Sequence, residues 1–145
     1  MTEGTIRAAR PEDLPAMRRI VARRSDIAMA VSGWVGRSWV YLLDANVIAF
    51  ASRGCGDHQL HAFYVAARLN GARVRGTGHG SIFLRLVEEE IGRGSAFIEL
   101  FVERNNPKAK RFYLRNGYEA RRALSGWTMS KCFREPPSLE DGRPI

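Results

Sequence analysis

Arg75-Gly76-Thr77-Gly78-His79-Gly80-Ser81 stands between a β-prone segment, Leu60 to Ala66, and a run with helical periodicity. In that run Ile82, Phe83, Leu86, Val87 and Ile91 form one stripe, and Gly92 and Gly94 stop it. Three glycines at alternate positions free the backbone to turn successive N–H groups toward one point. The helix that starts there adds the positive end of its dipole, so the segment predicts a cradle for phosphate oxygens. It is not the nucleoside-triphosphate loop, because no Lys-Ser or Lys-Thr follows the last glycine. Its glycine spacing also differs from the dinucleotide fingerprint. A Gly-rich turn alone serves equally well as a plain connector, so the surrounding sequence decides its meaning.

Downstream, Asn106-Pro107 reads as an N-cap followed by proline at the first helical position, and Gly117 closes that helix. Tyr113 falls about two turns beyond the cap. A phenol, with a pKa of about 10, can hand a proton to a departing thiolate of similar basicity. The plain alternative is a half-buried aromatic on an amphipathic helix.

The other elements are ordinary. Thr5–Ala9 is β-prone, and Pro11-Glu12-Asp13 opens a helix carrying Leu14, Met17, Ile20 and Val21 at helical spacing. A second short helix follows Ser25. Val40 to Leu43 and Val47 to Ser52 flank Asp44-Ala45-Asn46 as a hairpin. Phe97–Glu103, Tyr118–Arg122 and Trp127–Phe133 read as strands. No repeat or linker divides the 145 residues, so one α/β domain is expected over residues 1–134. The tail 135–145, rich in Pro and acids, is expected to be poorly ordered.

Composition excludes several classes. With 45% hydrophobic and 26% charged residues, wholesale disorder is ruled out. No uncharged run approaches the roughly 20 apolar residues of a membrane helix, and charges punctuate the first twenty positions against a signal peptide. Cys55 and Cys132 make no disulfide framework, and the three His show no zinc-ligand spacing, so no metal is expected. These features predict a cytoplasmic protein without a membrane partner. The formal net charge of +8, from 23 Lys plus Arg against 15 Asp plus Glu, attracts polyanions without choosing among them.

The order strand, Arg-Gly-x-Gly-x-Gly-Ser, helix, strand, Asn-x-x-Ala-x-x-Phe-Tyr-x-x-x-Gly-Tyr resembles the GNAT acyltransferase superfamily, whose members use acetyl-CoA. The match runs over Leu60 to Tyr118, and Ile6-Arg7-Ala8-Ala9 followed by Pro11-Glu12-Asp13-Leu14 is similar to the family's opening. The resemblance implies a single-domain α/β fold with a central mixed, mostly antiparallel twisted sheet. That sheet would splay at the cofactor site and be flanked by about four helices. It also implies that Arg73, Arg75, Gly76, Thr77, Gly78, His79, Gly80 and Ser81 hold the CoA pyrophosphate. The backbone at Tyr64 and Val65 would pair with the pantetheine arm, Asn106 would contact that arm, and Tyr113 would be the general acid. The implied reaction is transfer of acetyl from acetyl-CoA to a primary amine of a small molecule or peptide. The amine would attack directly in a ternary complex.

The sequence departs from the family pattern in three places. Val65 and Arg75 are ten positions apart, further than is common, so Arg68–Val74 reads as an inserted loop over the cofactor. The insertion also opens a second register for the phosphate loop, starting at Arg73; the Arg75 register puts the helix start at Ser81. Then, His79 stands where an aliphatic residue is usual, so its ring either packs under the loop or meets a phosphate. Finally, His61 stands where many relatives carry a Glu base, and an imidazole with a pKa of about 6.5 suits that task. Glu99 and Glu103 are competing bases, and base-free attack is open. The acceptor pocket is expected from the segment Ser25–Arg37, the loop Gly54–His58 and the last two strands, with Trp34, Asp57 and His58 as lining candidates.

Charge fits this outline. Between His58 and Val87 stand Arg68, Arg73, Arg75 and Arg85 and no acid, a local field for an anionic cofactor. Arg104 to Arg122 holds seven basic residues and one acid, which keeps open an RNA-binding protein or an acyltransferase acting on aminoacyl-tRNA. A non-catalytic acyl-CoA-binding regulator is the third reading. Either a monomer or a homodimer is compatible with the sequence.

Overall fold

The computed structural model describes residues 4–133, so the tail expected to be poorly ordered lies outside the described residues. Strand β1 (Thr5–Ala8) pairs antiparallel with β2 (Ser38–Leu43), β2 with β3 (Asn46–Arg53), and β3 with β4 (Leu60–Val65). Asp44 and Ala45, both at positive φ (51° and 66°), turn β2 into β3 as the primed turns of tight hairpins do. A second antiparallel sheet has the order β7-β9-β8, from Phe97–Glu103, Gly126–Cys132 and Glu119–Arg122. One parallel bridge, Gln59 to Glu99, joins the two sheets, and there the Glu99 N–H donates to His58 O at 2.9 Å. Past this bridge β4 and β7 form no ladder, and the mixed, mostly antiparallel sheet opens.

Helices cover both faces. On one, α1 (Leu14–Ile20), α2 (Ser25–Ala30) and a 3-10 turn (Val31–Arg37) bury Met17, Val21, Ile27 and Val31 against Val40, Phe50 and Ala62. On the other, α3 (His79–Gly92) sets Phe83, Leu84, Val87 and Ile91 against Tyr41, Ile48, Ile98 and Met129. The last helix, α4 (Pro107–Arg115), adds Tyr113 to that core. Strand alternation explains the division, since Val40 and Tyr41, or Ala49 and Phe50, face opposite ways. Among the described residues no helix is long and apolar enough to cross a membrane.

Two local features differ from expectation. Helix α3 begins at His79 rather than Ser81. The inserted segment is a two-rung hairpin, β5 (Arg68–Leu69) with β6 (Ala72–Arg73), turning through Asn70 and Gly71 at positive φ (50° and 82°). The stretch around Trp34 is a 3-10 turn, held where the Ser38 hydroxyl donates to Trp34 O at 2.5 Å.

Asp13 ties β1 to the first helical turn. Its carboxylate accepts from both terminal nitrogens of Arg7 (2.7 and 2.9 Å) and from the Arg10 N–H (2.7 Å). The Arg7 hydrogen bonds hold its pKa below the ordinary 3.8, against an opposing effect of burial. A depressed folded pKa means stabilisation present above the unfolded value and lost as pH falls through the folded one. Asp13→Asn is therefore expected to cost about 1–2 kcal/mol at pH 7 and to flatten the loss of stability below about pH 4. Denaturant unfolding at pH 7 and pH 3 checks this; equal losses at both would remove the ion pair as the cause.

Candidate active site

A cavity of about 570 Å³ occupies the opening between β4 and β7. His61, Phe63 and Tyr64 line it from β4, Glu99 and Glu103 from β7, and Asn106, Ala109 and Tyr113 from α4. Arg24, Arg37, Gly54, Cys55 and Thr128 line it from the segments between and beside these elements.

The geometry of α4 brings Tyr113 there. Asn106 caps the helix, its Oδ1 accepting from the Ala109 N–H at 3.3 Å, with Pro107 in the first turn. Phe112 then packs beside Phe63, ring centroids 5.9 Å apart. Tyr113 meets Phe63, Phe112 and Tyr118 edge-on at 6.3, 5.2 and 5.4 Å. It is 7% exposed, and its hydroxyl has no hydrogen-bond partner among the described residues. Burial, with the neighbouring Tyr64 adding to it, pushes the phenol pKa well above its ordinary value. The group stays protonated at every physiological pH.

The glycine segment is shaped as a cradle. Gly76 and Gly78 take φ of +83° and +90°, and Gly78 is the N-cap of α3. The Ile82 N–H donates back to Gly78 O at 3.1 Å, so the N–H groups of His79, Gly80 and Ser81 have no helical partner. A Cβ at Gly78 would meet nothing within 4 Å, leaving the approach open. At Gly80 a Cβ would come within 3.4 Å of the Phe112 ring, so glycine there lets α3 and α4 converge. The Thr77 hydroxyl donates to Val74 O, and the Arg73 guanidinium lies beside Gly76. Arg75 Nε donates to Val65 O at 3.1 Å, bridging the loop to the end of β4. The His79 ring turns inward, buried, with Nδ1 2.9 Å from the Tyr41 hydroxyl. Open N–H groups beside exposed Arg73 and Arg75 fit a pyrophosphate, and the end of β4 leads from the cradle toward the cavity, which Tyr64 lines.

His61, Glu99 and Glu103 all reach the cavity. His61 is exposed, edge-on to Trp34 at 5.0 Å. Glu99 Oε1 lies 4.0 Å from His58 Nε2, and His58 stacks on Phe97 at 4.6 Å. Trp34, Asp57 and His58, the candidates for the acceptor pocket, do not line the cavity, although the Trp34 ring meets His61, which does. Arg37, Gly54, Cys55 and Thr128 do, each within or beside the segments expected to form the acceptor pocket. Arg37, Gly54 and Cys55 enter from irregular backbone, which no hydrophobic period encodes, and Thr128 from β9.

Two sheets parting between β4 and β7, a glycine cradle opening α3 and a buried tyrosine on α4 define a split-sheet α/β fold. Solved structures share it. Ard1 from Thermoplasma volcanium is 22% identical, over 91% of this chain and 99% of its own, with a TM-score of 0.70. PaiA N-acetyltransferase from Thermoplasma acidophilum, in complex with coenzyme A, is 17% identical over 90% and 99% (TM-score 0.72). A GCN5-related N-acetyltransferase from Rhodopseudomonas palustris is 19% identical over 92% and 98% (TM-score 0.66). At these identities the likeness establishes the fold: this chain has the GNAT fold. No family model and no curated protein matches the sequence.

Proposed function

We propose that this protein is an acetyl-CoA-dependent N-acetyltransferase acting on a primary amine by direct attack in a ternary complex. The observation that carries the reading is the buried, unpartnered Tyr113 phenol on the wall of the split, with the glycine cradle beyond the end of β4. The N–H groups of His79, Gly80 and Ser81, with Arg73 and Arg75, would hold the pyrophosphate of CoA. Tyr64 and Val65 would pair with the pantetheine arm through their backbone, and Asn106 would steady it from the α4 cap. Bound acetyl-CoA supplies a thioester carbonyl, which backbone N–H groups at the split polarise as charge develops on oxygen. His61, Glu99 or Glu103 takes the proton of the attacking amine, directly or through water. Tyr113 donates a hydrogen bond and then its proton toward the departing sulfur.

The deciding experiment incubates the protein with acetyl-CoA and a panel of primary amines and measures released thiol. Amine-dependent thiol release is expected. CoA binding with no release across the panel would overturn the catalytic reading in favour of a regulator that only binds acyl-CoA.

A further inference from the structure

A second cavity, about 620 Å³, lies between the end of α1 and the adjoining ends of β3 and β4. Arg19, Arg23 and Arg24 line it from one segment and Arg68 and Arg75 from another, and none of its lining residues is acidic. The dipole at the C-terminus of α1 accounts for a cation at Arg19. It does not account for Arg23, beyond the helix, or for Arg68 and Arg75, which arrive after β4.

Little neutralises this charge. Arg24 is paired with Asp26 at 3.4 Å, with both side chains largely exposed. Arg68 and Arg75 donate to the backbone oxygens of Gly71 and Val65. Arg19 and Arg23 have no ion-pair or hydrogen-bond partner among the described residues. Like charges gathered on a concave surface over an apolar floor repel one another and focus a positive field into the space between them. A bound anion relieves that repulsion, and guanidinium groups suit phosphate oxygens in particular. The cavity is in the usual size range for a small-molecule site, and a compact bowl matches a small phosphorylated ligand better than the extended backbone of RNA.

The two cavities also share a wall. Arg24 and Tyr64 line both, so a ligand in the arginine cavity reaches the edge of the split. We propose that the arginine cavity binds the phosphate of a small phosphorylated ligand beside the glycine cradle, through Arg19, Arg23 and Arg68, with Arg75 on the border between the two. On the acetyltransferase reading, on which this last step rests, that ligand is the acceptor, an amine carrying a phosphate.

The test titrates inorganic pyrophosphate into protein saturated with CoA, so that the glycine cradle is already filled. Wild type is compared with the double variant Arg19→Gln/Arg23→Gln, two exposed positions outside the proposed catalytic machinery. Pyrophosphate is expected to bind the CoA-saturated wild type, and the double variant to lose about tenfold or more in that affinity while binding CoA normally. Displacement of pyrophosphate by CoA, or equal affinity in the double variant, overturns the site. So does binding of a single-stranded RNA oligonucleotide that pyrophosphate fails to compete away. A second arm compares phosphoethanolamine with ethanolamine as acceptors. A preference for the phosphorylated amine that disappears in the double variant supports the acceptor assignment, and no preference overturns it. If neither these amines nor the wider panel is acetylated while pyrophosphate binding behaves as expected, the anion site stands and the acetyltransferase reading is the one that fails.

Discussion

Tyr113→Phe is expected to lower kcat by about 100-fold, the lower end of what a positioned proton donor supplies, and to leave the affinity for CoA essentially unchanged. The hydroxyl lines the split but bonds to no protein group among the described residues, so the variant breaks no contact. Its melting temperature should therefore match that of the wild type. Burial holds the phenol protonated far above neutrality, which makes it available as a donor at every working pH. The same elevation makes complete transfer to a thiolate uphill, since a thiol has a pKa of about 8.5. Most of the effect should thus come from a hydrogen bond that strengthens as charge develops on sulfur. The rate should show no alkaline fall attributable to Tyr113 below about pH 10. Steady-state kinetics under chemistry-limited conditions, with a thermal melt beside them, check this. An unchanged kcat removes Tyr113 from the role, and a joint loss of activity and melting temperature assigns it to packing.

What could be read from the sequence follows how local the determining physics is. The cradle was legible because Gly76 and Gly78 answer to positive φ, and α4 because Asn106 and Pro107 specify a helix start within two positions. The 3-10 turn at Val31–Arg37 was not. Its three-residue repeat gives no amphipathic stripe, and Gly33 and Gly36 interrupt any period. Asn70-Gly71 did carry a hairpin signal, yet two rungs are too few for alternation to show, and the segment read as a loop. The inward turn of His79 depends on Tyr41, 38 positions away, which no local pattern reveals. His61, Glu99 and Glu103 meet in one cavity because β4 and β7 diverge from a common bridge at Gln59 and Glu99. That junction is a property of the folded sheet.

The least legible feature has the largest expected effect on stability. Glu88, on α3, is 7% exposed, and its carboxylate accepts from the Tyr118 hydroxyl at 2.7 Å and from Lys131 Nζ at 3.0 Å. Lys131 also donates to Asn116 O at 3.0 Å, at the end of α4, so one ion pair joins α3, α4 and β9. Burial first, and the Glu88 charge next, raise the Tyr118 phenol pKa, so its proton stays directed at the carboxylate. Lys131→Met would leave that carboxylate nearly dry with a single donor. A fully buried pair broken in this way costs about 3–5 kcal/mol. The Lys131 side chain is 31% exposed, so water makes good part of the loss, and about 2–3 kcal/mol is expected. That corresponds to a fall of about 6–10 °C in melting temperature. Adding Glu88→Gln removes the charge that lost its partner, so the double variant should be more stable than Lys131→Met alone. Strict additivity of the two losses would show that Glu88 and Lys131 do not act as a pair. The Tyr118 N–H donates to Tyr113 O at 3.0 Å, and the two rings pack at 5.4 Å, so this ion pair also backs the proposed proton donor. Loosening it should lower kcat in Lys131→Met by less than in Tyr113→Phe, and Glu88→Gln should restore activity and stability together.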